Sequence, residues 1–348
     1  MNKHDRTLSD DIPPPVAMLQ MIAGFWVSRA LYLAAKLGIA DLVRDQSKTA
    51  TELAATTGTH APSLYRVLRA LASVGVFAED DQGRFALTPL AATLRSDVSG
   101  SLRAWATVQL GEDHYQAWGE LIHSVRTGER AFDHVFGMGV WQYRAQHPEK
   151  AKRFDEAMAN LIGVYNGAVL ASYPFSTIEK VVDVGGGDGS LLVILLQANA
   201  TMKGVLFDLP HVAERAKQRI ADAGLTGRCE VVAGDALTSV PGGGDAYILS
   251  RVIHDWDDDH AVTLLKNCHR AMTEQGKLLL IERVLPARVE SSNAAQALVL
   301  SDLNMMVMNG GRERTEAEYR ALFEGASFRL TKVTPTQSAM SVIEGARA

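Results

Sequence analysis

Cysteine is almost missing from this chain: Cys229 and Cys268 are the only two in 348 residues. That excludes a disulfide framework and fits a reducing, cytoplasmic setting. An excess of one charge is missing too. Thirty-five Lys and Arg face 40 Asp and Glu, for a net charge of −5 with no basic block. Charge therefore points to neither a nucleic-acid nor a membrane-surface partner. Long clean apolar runs are also lacking. Val16 to Val43 is strongly apolar, but Gln20, Ser28, Arg29, Lys36 and Asp41 interrupt it. Its longest uninterrupted stretch, Met21 to Val27, is too short to cross a bilayer. Met1 to Pro15 is polar, carries three prolines and lacks the apolar centre of a signal peptide. A soluble chain is expected, with no membrane partner. Hydrophobic residues make up 47%, ample for a large core, and the length favours more than one domain.

The Val16–Val43 segment reads as one or two helices greasy on most sides, to be buried in a core or against a partner chain. The next stretch reads helix (Ala50 to Thr56), turn, helix (Ala61 to Val74), then a two-stranded wing around Asp81-Gln82-Gly83. That is the winged helix-turn-helix order. DNA binding is one reading of it and an assembly scaffold the other. Lys48, Arg66, Arg69 and Arg84 are cancelled by Glu52, Glu79, Asp80 and Asp81, which leaves little phosphate affinity and favours the scaffold. Residues 100 to 165 look helical. Their scattered bulky residues, among them Trp105, His114, Trp118, Trp141, Phe154 and Met158, are mostly core, with a few available to line a pocket for a flat molecule.

From Glu179 the texture changes. KVVDV (180–184), GVLFDL (204–209), CEVVAG (229–234), AYILS (246–250) and KLLLIE (277–282) are short apolar runs. Helical segments, clearest at Ser190–Ala198, His211–Ala223 and Asp259–Ala271, separate them. The alternation predicts an α/β fold, a Rossmann-like doubly wound, mostly parallel sheet that binds ligands at the carboxyl ends of its strands. Domains are expected at 1–100 (winged-helix, essentially helical), 101–165 (helical, contributing to a pocket) and 166–348 (ligand-binding).

Gly185, Gly187 and Gly189 follow the first of these strands and precede a helix, which allows a tight turn and close approach of a ligand to the backbone. The spacing is G-x-G-x-G, not the dinucleotide G-x-G-x-x-G. Asp183 precedes the loop, Asp208 ends the next strand 21 residues past Gly187, and Asp235 ends the third. An acid at Asp208 suits the ribose hydroxyls of NAD equally well. Three carboxylates and no basic residue in the loop favour a ligand that carries positive charge, such as S-adenosylmethionine. Each Asp taken alone could equally cap a turn or helix.

In chain order, VVDVGGGDG, FDLPHV, AGDAL, IHDWDDD, LLLIERVLP and GGRERTEAEYRALFEGASF, together with the winged-helix start, resemble S-adenosylmethionine-dependent O-methyltransferases of the caffeic acid and hydroxyindole type, bacterial aromatic-metabolite branch. The resemblance covers nearly the whole chain after about residue 15. It implies a class I methyltransferase domain behind a dimerisation domain. The implied activity is metal-free methyl transfer from S-adenosylmethionine to a phenolic or enolic hydroxyl of an aromatic small molecule, by a homodimer. It makes His254 the general base, flanked by Glu282 and Glu313. It sets the cofactor against Asp183, Gly185, Gly187, Asp208, Leu209, Gly234, Asp235, Ala236, Ser250 and Arg251. Ser250 stands where plant relatives have lysine. The acceptor is implied at Met158, Trp256, Leu303, Asn304 and Met308, though methionines fill cores as readily. Histidine titrates in the range a phenol's base requires. The bland alternatives are a satisfied buried histidine and, for Glu313, a surface charge ahead of a helix capped by Thr315 and Glu318. Asp257, Asp258 and Asp259 read as the acidic start of the next helix. Two rival functions remain: a relative that uses bound S-adenosylmethionine structurally during hydroxylation or decarboxylation, and a winged-helix regulator. Retention of His254, Glu282 and Glu313 argues against the first, and the balanced charge against the second.

Overall fold

The structure, a computed structural model, describes residues 12–348, except for the side chains of 162–164; the polar segment before residue 12, read above for a signal peptide, lies outside the described residues. Contacts divide the chain into two compact units, up to Glu112 and from Asp113. The helical stretch expected at 101–165 is thereby shared. The helix Arg103–Gln109 belongs to the first unit, where Arg103 pairs with Asp41 at 2.6 Å, and the helices from Glu112–Gly119 onward belong almost wholly to the second.

In the first unit a long helix, Pro14–Leu37, ends at Gly38. Met18, Leu19, Met21, Ile22, Phe25 and Trp26 on it are exposed. By length and composition it is, among the described residues, the one helix that could cross a membrane, a test the interrupted sequence did not suggest it would pass. The two winged-helix helices form as expected, at Ala50–Thr57 and Ala61–Ser73. Thr49 and Glu52 make a capping box for the first; Leu64, Leu68 and Leu71 of the second close on Leu53, Phe77 and Phe85. The wing has one strand more than expected. Lys48–Thr49 joins Arg84–Leu87 and Phe77–Glu79 in a three-stranded antiparallel sheet, so the unit is not purely helical.

The second unit is built on a seven-stranded sheet: β1 (Lys180–Val184), β2 (Lys203–Asp208), β3 (Cys229–Ala233), β4 (Ala246–Ser250), β5 (Lys277–Glu282), β6 (Phe328–Pro335) and β7 (Ser341–Arg347). Its order is β6-β7-β5-β4-β1-β2-β3, with β1 to β5 parallel and the last two antiparallel. Both faces are covered, which is why Val181, Val182, Ile248, Leu249 and Leu278 through Ile281 are all buried and the runs show no alternation. Strand order reverses between β1 and β4. At such a switch point the loops after the two strands part and leave a crevice at their carboxyl ends. The glycine loop follows β1 and His254 follows β4, so the topology delivers both to the same crevice.

Candidate active site

The loop after β1 is held from two sides. Gly187 donates its amide to Asp208 Oδ2 at 2.8 Å, and Leu209 donates to Oδ1 at 2.7 Å. A Cβ on Gly185 would lie 2.7 Å from Val252, so this glycine lets the loop close directly on the turn that carries His254. Asp183 is buried, with no partner on either carboxylate oxygen. Burial first, then the neighbouring Asp208 and Asp188, pushes its carboxyl up to about 7. An arginine does approach the loop in space, contrary to the sequence spacing: Arg219 pairs with Asp188 at 2.8 Å and is spent there. The open space at Gly187 and the unpartnered Asp183 carboxylate suit a ligand carrying positive charge better than a pyrophosphate.

At the end of β4, Arg251 adopts a left-handed backbone with φ 57°, a conformation that costs a non-glycine residue about 1–2 kcal/mol. It turns the chain into the short 3₁₀ helix Ile253–Asp255. His254 is 3% exposed there, Glu282 at the end of β5 is 0% exposed and Glu313 is 2% exposed. His254 Nδ1 lies 3.2 Å from Glu313 Oε1 and 3.6 Å from Glu282 Oε2. Its Nε2 makes no hydrogen bond among the described residues; the nearest carboxylate oxygen, Asp255 Oδ1, is 3.7 Å away. A proton on Nδ1 shared with Glu313 therefore leaves the Nε2 lone pair for a ligand.

Each carboxylate is anchored on its far side. Glu282 Oε1 accepts the amides of Val252 at 3.0 Å and Ile253 at 2.9 Å, which ties β5 to the turn of His254. Glu313 Oε1 accepts from Ser301 Oγ at 2.7 Å and Arg283 Nη1 at 3.2 Å. Burial lowers the His254 pKa, but the charges of Glu282, Glu313 and Asp255 outweigh it and hold the imidazole up at about 9. Glu313 is pulled the other way: burial raises it, but His254, Arg283 and Ser301 hold it down at about 2. Burial pushes Glu282 up to about 7.

Two residues that sequence reasoning missed hold this cluster in place. Arg314 is a guanidinium with 0% exposure; it donates to the carbonyls of Ile253 (3.0 Å) and Trp256 (2.8 Å), either side of His254, and to Asp258. Gly311 lies flat against the same turn: a Cβ there would come within 2.0 Å of the His254 carbonyl oxygen and 2.5 Å of Asp255 C. A short parallel pairing of Arg314–Thr315 with Val284–Leu285 sets the segment beside the end of β5. The two glycines of GGRERT were the only sequence signal for this close approach. Thr315 and Glu318 do form the capping box, but Glu313 before them is buried and not a surface charge. Asp257 caps the helix Asp258–Ala271 as expected.

The other expected site residues divide. Met158 Sδ accepts a 3.6 Å contact from Arg251 Nη1, which brings together a residue expected at the acceptor and one expected at the cofactor. Asn304 accepts from the Trp118 indole at 3.1 Å, and Leu303 is half-buried beside it on the helix Asn293–Met308. Ser250 is the half-buried last residue of β4. Leu209, Gly234, Asp235 and Ala236 lie just past the ends of β2 and β3, where Asp235 accepts the Leu237 amide. Met308 is 2% exposed in a packed cluster with Ala117, Phe132 and Val140. Trp256 is half-buried, stacks its ring on His260 at 5.5 Å and packs against the hydrophobic core.

A doubly wound sheet in this strand order, with a glycine loop, an unpartnered acid and a buried histidine at the switch point, is the architecture of a class I methyltransferase. Comparison with known proteins makes that specific. Residues 118–329 match the O-methyltransferase domain and residues 19–97 the O-methyltransferase dimerisation domain. The chain is 46% identical over 333 residues to the phenazine O-methyltransferase PhzM of Lysobacter antibioticus, covering 96% of each. Among solved structures, LaPhzM matches with TM-score 0.92 at 46% identity, over 97% of this chain and 100% of that one. The neocarzinostatin-biosynthesis O-methyltransferase NcsB1, solved with S-adenosylmethionine and 2-hydroxy-5-methyl naphthoic acid, matches with TM-score 0.82 at 35% identity, over 92% of this chain and 96% of that one. The chain belongs to the O-methyltransferase family and uses S-adenosylmethionine.

Gly311→Ala tests the close approach. The new methyl meets backbone, which cannot rotate away, so the turn of His254 must move. Stability should fall by about 1–3 kcal/mol, and turnover by about 10²-fold. Denaturant titration and initial rates measure the two effects; parent-like values in both would show that the contact constrains nothing.

Proposed function

We propose that this enzyme methylates a phenolic or enolic hydroxyl of an aromatic small molecule in secondary metabolism, with His254 as general base and no metal. The observation that carries the reading is the buried imidazole whose Nδ1 faces two carboxylates while Nε2 is left unbonded. When bound, S-adenosylmethionine supplies a sulfonium methyl that needs no further activation. The chain then has to align the acceptor and take its proton. A phenol has a pKa near 10, and His254 held up at about 9 is well matched to receive that proton at Nε2. As the acceptor oxygen bonds to the methyl carbon, the carbon–sulfur bond breaks and the sulfur keeps the electron pair. Glu313 and Glu282 fix the tautomer and stabilise the imidazolium as it forms, as the orienting carboxylate does in hydrolase triads. Asp183, Asp208 and the amides of the glycine loop would hold the cofactor, with Gly185, Leu209, Gly234, Asp235, Ala236, Ser250 and Arg251 around them. Met158, Leu303 and Asn304 would line the acceptor. The relatives' names, phenazine and hydroxy-naphthoic acid, support a flat aromatic acceptor.

Ligand atoms of His254, Glu282 and Glu313 lie within 4.8 Å of one another, an arrangement that also resembles a metal site. The partners favour a proton over a metal. Glu313 Oε1 already takes Ser301 and the Arg283 guanidinium, and Glu282 Oε1 takes two amides. A cation would have to sit against that arginine.

Homodimerisation is proposed through the exposed apolar face of Pro14–Leu37, much of which falls within the dimerisation match. Light scattering at micromolar concentration should give twice the 37.7 kDa chain mass, and Ile22→Asp with Trp26→Asp should halve it. A monomer for the parent chain would rule this out.

His254→Ala should lose about 10²–10⁴-fold in turnover on a weakly acidic phenol and keep its affinity for S-adenosylmethionine. The loss should shrink on acceptors acidic enough to arrive ionised, and EDTA should leave the parent rate unchanged. Single-turnover rates check this; a variant within a factor of about two of the parent would place the base elsewhere.

A further inference from the structure

One half-buried cation has no task in the proposed reaction. Arg144 lies on the helix Val140–Gln146, with its guanidinium 3.4 Å from the centre of the Phe154 ring and 4.8 Å from that of Trp141. Its Nη1 is buried without a hydrogen-bond partner. Burial lowers its pKa to about 10, and it stays charged at neutral pH. The carboxylates that act on it are Asp255, Asp113 and Asp155, and each is engaged elsewhere: by Asn309, by Lys150 at 3.8 Å and by Arg215 at 2.5 Å. Beside Arg144, on the helix Glu112–Gly119, His114 is 3% exposed and its Nδ1 is likewise unpartnered. Burial, with help from the Arg144 charge, lowers His114 to about 4, so its ring is neutral and one ring nitrogen carries a proton to donate.

Phe154 locates the pair. It lies one turn before Met158 on the same face of the helix Pro148–Ser172, and Met158 contacts Arg251 in the turn that carries His254. A buried guanidinium nitrogen without a hydrogen-bond acceptor costs free energy that a bound anion would recover. The planar fork of arginine matches a carboxylate with two parallel hydrogen bonds. Phe154 and Trp141 hold that fork beside aromatic faces, which suits a flat ring bearing the acid.

We propose that Arg144, with His114 beside it, is the subsite for a carboxylate on the aromatic acceptor, so that the enzyme selects hydroxy-acids over neutral phenols. This rests on the acceptor reading above. The same guanidinium chemistry would also suit the carboxylate at the amino-acid end of the cofactor, and the experiment separates the two.

Calorimetry on protein saturated with S-adenosylhomocysteine, titrated with 3-hydroxy-2-naphthoic acid and with 2-naphthol, is the direct test. In the parent the acid should bind about tenfold or more tightly than the naphthol. Arg144→Leu should abolish that preference, with affinities for naphthol and S-adenosylhomocysteine kept within about twofold. Arg144→Lys, which keeps the charge without the fork, should retain part of it, and stands in if the leucine variant does not fold. Equal binding of the two compounds by the parent, no binding of the acid, or a preference that survives in Arg144→Leu would overturn the proposal. So would a loss confined to S-adenosylhomocysteine affinity, which would assign the guanidinium to the cofactor. Failure to methylate either compound, with the binding preference intact, would count against the reaction and not against this subsite.

Discussion

The hydrogen bond between His254 and Glu313 is made almost without water, and that sets the terms for everything around it. A buried carboxylate and a buried imidazole each lose hydration, and removing one partner of such a pair typically costs about 3–5 kcal/mol because the other is left uncompensated. Neither group is left to the other alone. Ser301 and Arg283 share the Glu313 oxygen, and Glu282 brings a second carboxylate while two backbone amides hold it. The result is an imidazole more basic than a free histidine, with one nitrogen committed and one available. A proton acceptor for a weak acid needs that combination.

The precision of the arrangement comes from backbone, not from the reacting groups. Glu282 is fixed because it is the last residue of a central strand. Glu313 arrives on an irregular segment pinned by Arg314, which holds carbonyls on both sides of His254, and by Gly311, whose missing side chain lets two stretches of main chain touch. The glycine loop reaches the same turn through Gly185 and Val252. The glycine loop, His254 and its two neighbouring carboxylates therefore share one packed backbone junction, where a shift of one would displace the others.

Much of this was legible in the sequence, for physical reasons that also mark where legibility stops. The central parallel strands are largely apolar runs because both faces are covered, and β1, β4 and β5 begin and end where the runs do, whereas β3, at the sheet edge, exposes Glu230. Strands β6 and β7 escaped notice: β6 is an edge strand whose Arg329 and Lys332 are exposed, so its pattern is broken by charge. His254, Glu282 and Glu313 were found through motif resemblance; the fit of Glu313 to a surface cap shows that composition alone would have misplaced it. Arg314 could not be found that way, since a charged residue carries no mark of its own burial.

The central claim is that paired carboxylates make His254 a strong base whose neutral form does the work. The most direct test is kcat/KM against pH on a phenol that remains un-ionised across the range, for the parent and for Glu313→Gln. His254 is mostly protonated below its raised pKa, so the parent rate should climb about tenfold per pH unit and level off near pH 9. Removing the Glu313 charge takes away part of what holds the proton on the imidazole, so the variant's limb should move to lower pH and its plateau should fall. A parent profile that is flat from pH 6 to 9, or a limb that Glu313→Gln leaves in place, would contradict the account.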